Sequence, residues 1–230
     1  MALALAALAA VASASVGVTL ALYSNKPTGE TNTFVAGTVS VSNVVTGACS
    51  ASTNNMAPAD TASCTLATTY GGTLSGYMGL DVFIATQKNT TAGGGSATNL
   101  YNPADTTNEA QITVSSTTPT VTYIAAATNF GTAITCPAAL ASLDGNSYTS
   151  YNACYQLSNL LVASTAFASG TVTFTTGITL PSTQPNTYQG SSAVVVLAAH
   201  VVQSKNNTLN CTGGATAGVV CAAGTGFSWS

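Results

Sequence analysis

The chain has 230 residues, with three Lys, no Arg, six acidic residues and one His, for a net charge of −3. Charged residues make up 4% of it, against about 25% in ordinary soluble domains, so neither an electrostatic nucleic-acid footprint nor an acidic-tail role has support. At 46% hydrophobic it lacks the composition of a disordered chain, and one sandwich-sized domain is the expectation at this length.

In chain order, residues 1–24 are apolar and no charge appears before Lys26. From residue 14 the side chains alternate: Val16, Val18, Leu20 and Leu22 on one parity, Ser15, Gly17, Thr19 and Ala21 on the other. That is a strand with one face meant for burial. No basic residue precedes the run, unlike a secretion signal, although Thr19-Leu20-Ala21 could serve as a small-residue cleavage site. A membrane-spanning helix needs about 20 apolar residues, and Ser13, Ser15 and Gly17 make this a mediocre one. Residues 14–24 are therefore read as a strand that fills another molecule's edge; residues 1–13 either extend it or are a signal remnant.

Residues 25–32, with Pro27 and Gly29, read as a linker, and residues 33–230 as a single β-sandwich domain. Val39 and Val41 alternate with Thr38, Ser40 and Ser42, predicting a half-buried strand over 33–43. Turn chemistry at 54–60 precedes a strand near 63–70, broken by Gly71-Gly72. The cleanest strand pattern is 76–87, with Met78, Leu80, Val82 and Ile84 on one parity. Residues 88–109, with three consecutive glycines from Gly93, read as a surface-loop insertion. Strands follow at 111–115 and 120–127. The stretch 136–161 is open between a short helix at 137–143 and a disulfide-pinned loop. Residues 171–180 form a strand with Val172 and Phe174 against Thr171, Thr173 and Thr175. Residues 191–203 are nearly continuously apolar, as in a central strand buried on both faces, and 204–230 form a cysteine-containing tail. Eight or more strands with turn signals between them predict an all-β sandwich or jelly roll.

The six cysteines, Cys49, Cys64, Cys136, Cys154, Cys211 and Cys221, contain no C-x-x-C pair, which favours disulfides over a metal site. Six cysteines allow 15 connectivities; nearest-neighbour pairing (49–64, 136–154, 211–221) is the expectation because each pair brackets a loop-like stretch. Sequons at Asn89, Asn206 and Asn210 mark candidate N-glycans that would cover a charge-poor surface. Residues for chemistry are sparse. The one histidine, His200, sits in the most apolar strand and reads as a core or interface histidine. Asp105 and Glu109 are the only close acidic pair beyond the linker and read as a solvated loop rather than a calcium site. There is no H-E-x-x-H, G-x-S-x-G or P-loop pattern, so no catalytic residue, metal or cofactor is expected, and the chain is read as a non-enzyme.

Several blocks resemble a known family. V-G-V-T-L-A-L-Y-S-N-K-P from Val16 and N-T-F-V-A-G-T-V-S-V-S from Asn32 are similar to the start of camelysin and TasA-type biofilm-fibre proteins. N-M-A-P-A-D from Asn55 resembles their M-x-P-G-D turn, with Ala59 where glycine is usual. G-T-L-S-G-Y-M-G-L-D-V from Gly72 and N-T-Y-Q-G-S-S from Asn186 resemble two later blocks, in the family's order. The composition looks most like that of the archaeal bundling-pilus members, while the six cysteines and the tail after Gln203 depart from the bacterial pattern. The resemblance implies a jelly-roll-like sandwich polymerised outside the cell by donor-strand complementation. The metallopeptidase label of camelysin is not carried over, because the sequence supplies no ligands for it.

The expected function is a structural subunit of an extracellular, cell-surface filament for adhesion, cell–cell contact or biofilm matrix. Its partners would be further copies of itself along the filament, laterally bundled filaments and N-glycans, with no nucleic acid. Val16, Val18, Leu20 and Leu22 would enter a groove lined by Val172, Phe174, Val194 and Val196. Two alternatives stand beside it: an archaeal type IV pilin-like subunit with a helical N-terminus, and a secreted or S-layer-type binding module using the 88–109 loop.

Overall fold

The structure is a computed structural model that describes residues 41–46, 50–52, 57–88, 99–105, 107–125, 130–138, 147–183, 188, 191–205, 209–211 and 217–222. The strands are β1 (Val41–Thr46), β2 (Ser50–Ser52), β3 (Thr61–Tyr70), β4 (Gly76–Gln87), β5 (Gln111–Thr117), β6 (Thr120–Ile124), β7 (Thr132–Ile134), β8 (Ala153–Leu161), β9 (Gly170–Thr179), β10 (Ser192–Gln203), β11 (Asn210–Cys211) and β12 (Cys221–Ala222). They build an antiparallel β-sandwich. One sheet has the order β1-β3-β9-β5-β6 and the other β2-β10-β4-β8-β7. Each sheet is thus four strands drawn from the chain after residue 57, plus one N-terminal edge strand. β11 and β12 form a separate two-stranded ribbon.

Alternation dictates the layers. Leu66 on β3, Val172 and Phe174 on β9, and Ile112 and Val114 on β5 point inward and are almost fully buried. From the second sheet Met78, Leu80, Val82 and Ile84 on β4, with Ala193, Val195 and Leu197 on β10, meet them in a single core. The β3–β9 and β4–β10 ladders run without a register shift over ten and twelve residue pairs, so each parity stays on its own face throughout. β5 turns into β6 through a cis Thr118–Pro119 peptide, the arrangement of a type VI turn.

Two expectations change, and a third falls mainly outside the described residues. The stretch 136–161 ends in a strand, β8, because Ala153–Leu161 pairs with β4 along its length. The part assigned to a helix, 137–143, falls mostly outside the described residues. The second half of the 88–109 insertion is a surface loop only in part, exposed at Ala104 and Thr107. Leu100 and Tyr101 are fully buried and close one end of the sandwich. The Ala110 amide donates to the Leu100 carbonyl at 2.8 Å, and the Tyr101 amide donates to Thr86 Oγ1 at 3.1 Å. The expected strand over 33–43 lies mainly outside the described residues; within them pairing begins at Val41, opposite Tyr70.

The tail after Gln203 is tied back to the sandwich. Its ribbon is closed by the Cys211–Cys221 disulfide. The Leu161 amide donates to Val219 and the Gly218 amide to Leu161, both at 2.8 Å.

Candidate functional site

The predicted site residues fall in three places. Val172 and Phe174 point into the core from β9, at 1% and 0% exposure. Val194 and Val196 occupy the other parity of β10 and pack on the outer face of the second sheet, with Phe83, Ala85, Tyr148 and Cys154. The four therefore do not line one groove. The correction follows from the period of two: inward residues of β10 are Ala193, Val195 and Leu197, and their neighbours must face outward. Val16, Val18, Leu20 and Leu22 lie outside the described residues.

The Cys136–Cys154 and Cys211–Cys221 disulfides agree with nearest-neighbour pairing. Cys64 is also disulfide-bonded, and its expected partner Cys49 lies outside the described residues. Cys136–Cys154 spans 18 positions and pins the connection between β7 and β8 over the outer face of β4. Of the sequons, Asn210 is exposed on β11; Asn89 and Asn206 lie outside the described residues.

His200 sits on that same outer face. Its Nδ1 is 3.5 Å from Asp81 Oδ2, while Asp81 Oδ1 accepts the Asn159 amide at 2.7 Å. The β4–β8 register shifts between Leu80 and Val82, and Asn159 adopts a left-handed backbone, φ 63°. Asp81 thus fills a bulge and links β4, β8 and β10. Burial lowers the His200 pKa, opposed by the Asp81 charge. This is a structural pair holding three strands.

Among the described residues, the densest group of titratable side chains is at the plugged end of the sandwich, and Glu109 is its centre. Residue 109 immediately precedes Ala110 and β5, and its side chain is carried inward to 4% exposure. Tyr188, in the connection from β9 to β10, donates its hydroxyl to Glu109 Oε1 at a long 3.5 Å. Glu109 Oε2 is buried with no hydrogen-bond partner among the described residues. Burial, reinforced by the nearby Asp105 charge, pushes the Glu109 carboxyl up to about 7, while hydrogen bonds from Asn102 and Tyr188 pull it back. Burial and the same carboxyl push Tyr188 up to about 12. Asp105 is different: it accepts the Thr107 and Asn108 amides at 2.9 and 3.1 Å, which hold its pKa below the usual range.

Sequence reasoning named the Asp105/Glu109 pair but read it as solvated. The missed signal was Leu100-Tyr101, an apolar pair inside an otherwise polar insertion, which drags the loop inward. Among the described residues no group of three or more His, Cys, Asp or Glu is placed to hold a metal ion, and no helix is long and apolar enough to cross a membrane. No model of a known protein family matches the sequence, and no curated protein is similar to it.

Proposed function

We propose that this chain is a structural subunit of an extracellular filament, polymerised head to tail when the N-terminal strand of one subunit joins the sandwich of the next. The observation that carries the reading is the alternation of Val16, Val18, Leu20 and Leu22 ahead of an antiparallel sandwich. Such a segment cannot bury its apolar face alone, and adding a strand to a sheet edge satisfies both that face and its backbone.

The sandwich offers further support. N-terminal segments already act as edge strands, β1 on one sheet and β2 on the other. β2 spans three residues of the twelve-residue β10. Val41 lies at the Tyr70 end of the first sheet, opposite the end closed by Leu100 and Glu109. Ala59 favours the family resemblance: its φ of 75° is one that glycine adopts without penalty, and glycine is what the M-x-P-G-D turn carries there.

In this reading the sandwich is a jelly-roll-like acceptor. The donor side chains extend the inward-facing core at a sheet edge, and Val194 and Val196, which face outward, take no part. Four apolar side chains at about 1.5–3 kcal/mol each, with a ladder of backbone hydrogen bonds, make a contact that hardly dissociates. Head-to-tail insertion is heterologous and yields an open filament. Lateral bundling, N-glycans at the sequons and a non-enzymatic role belong to the same reading.

The test is removal of residues 1–24. The truncated chain is expected to remain soluble and unpolymerised under conditions where the full chain forms filaments in electron micrographs. Filaments from the truncated chain would overturn the reading.

A further inference from the structure

The plugged end of the sandwich holds a feature that a static β-sandwich does not need. Two long connections meet there, β4 to β5 and β9 to β10. The first enters the core through Leu100 and Tyr101, both fully buried. It is held by the Tyr101 amide on Thr86 Oγ1, which in turn donates to the Ser192 carbonyl at 3.2 Å. The second brings Tyr188, 5% exposed, against Glu109.

Glu109 is the joint between them, and a carboxyl is a costly choice for it. A buried carboxylate is tolerated when a cation or several donors compensate its charge. The titratable and charged groups acting on Glu109 from the surrounding elements are Asp105 on its own connection and the phenols Tyr188, Tyr101 and, from β8, Tyr155. Neither Lys88 nor Lys205, the lysines among the described residues, is among them. Asp105 repels the ionised form and Oε2 has no hydrogen-bond partner among the described residues, so burial outweighs the Asn102 and Tyr188 donors that favour ionisation.

We propose that Glu109 is a proton-dependent latch: the end of the sandwich closes with this carboxyl buried and neutral, and ionisation, which favours exposing the carboxylate to water, loosens that end. The inference does not depend on the filament reading, since it concerns the stability of one end of a single subunit.

The direction follows from linkage. The closed carboxyl titrates at about 7, against an ordinary value of 4.5 once the end opens to water. The open form is therefore the stronger acid. Opening becomes easier as pH rises from 4.5 to about 7 and levels off above, where both forms are ionised.

Hydrogen exchange of the purified full chain, read by mass spectrometry and corrected for intrinsic exchange rates, tests this. Protection of peptides covering 99–110 and 188–192 is expected to fall on the order of a hundredfold over that window, with peptides from the centre of β9 unchanged. Glu109→Gln keeps the shape and removes the charge, so its plug should stay protected at every pH. Equal pH dependence in wild type and Glu109→Gln, or none in wild type, would overturn the latch. Should the variant fail to fold, the carboxyl of wild-type Glu109 can be followed by carbon NMR. A midpoint near 7 supports the proposal, and one at the ordinary carboxyl value overturns it.

Discussion

The two outer faces of the sandwich are built on opposite plans. On the first sheet, β3, β9, β5 and β6 present rows of small hydroxyl side chains: Thr65, Thr175, Ser115 and Thr122 lie side by side across four strands. Thr61 and Thr179, and Thr69 and Thr171, bridge their hydroxyls at 2.7 and 2.9 Å. On the second sheet, the outward side chains of β4 and β10 are apolar where the β7–β8 connection crosses them. Phe83 is fully buried there, with the Tyr148 ring edge-on at 4.9 Å. A sheet covered on one side needs only one apolar parity; a sheet covered on both needs two. The second sheet has a small extra core, held down by a disulfide instead of by a third layer.

If that extra core is a true core, truncating it should cost as much as truncating the interior. Phe83→Ala and Phe174→Ala are each expected to lose about 3–5 kcal/mol of unfolding free energy in urea titrations. A loss under about 1 kcal/mol for Phe83→Ala would reduce the β7–β8 connection to a loose cover. The pin should matter next. Replacing Cys136 and Cys154 together by Ala opens a link spanning 18 positions, and a closed loop of about that length is worth about 3 kcal/mol. The two effects should be less than additive, because Cys154 packs in the same cluster as Phe83.

The same contrast decides what was legible. β9 could be read residue by residue, because Val172, Phe174 and Ile178 alternate with Thr171, Thr173, Thr175 and Thr179. β10 could be placed as buried on both faces, but not phased. With Val194, Val195 and Val196 in succession, nothing in the sequence says which valine meets the interior, and the inward assignment of Val194 and Val196 failed for that reason. β8 was hidden differently. Its bulge opposite Leu80–Val82 breaks the period of two, so Leu157, Leu160 and Leu161 do not fall on one parity. Glu109 was found as an acid and missed as a buried one. Its environment is set by Tyr188, 79 positions away, and local polarity cannot reveal a contact made by chain crossing.

The hydroxyl face gives the smallest and most discriminating effect. Thr175 stands mid-row, paired with Thr65 on one side and Ser115 on the other. Cross-strand pairs of this kind are worth about 0.2–1 kcal/mol each relative to alanine. Thr175→Ala should therefore cost less than about 1 kcal/mol in the isolated subunit, independent of protein concentration. A larger loss that grows with concentration would mean that a second copy covers this face in solution, because association stabilises the folded form by mass action. The contrast would then change character: both faces would be covered, one by the chain's own β7–β8 connection and the other by a neighbouring molecule. A face with no charged side chain on β3, β9, β5 or β6 has no electrostatic barrier to that contact, so the concentration series separates the two cases.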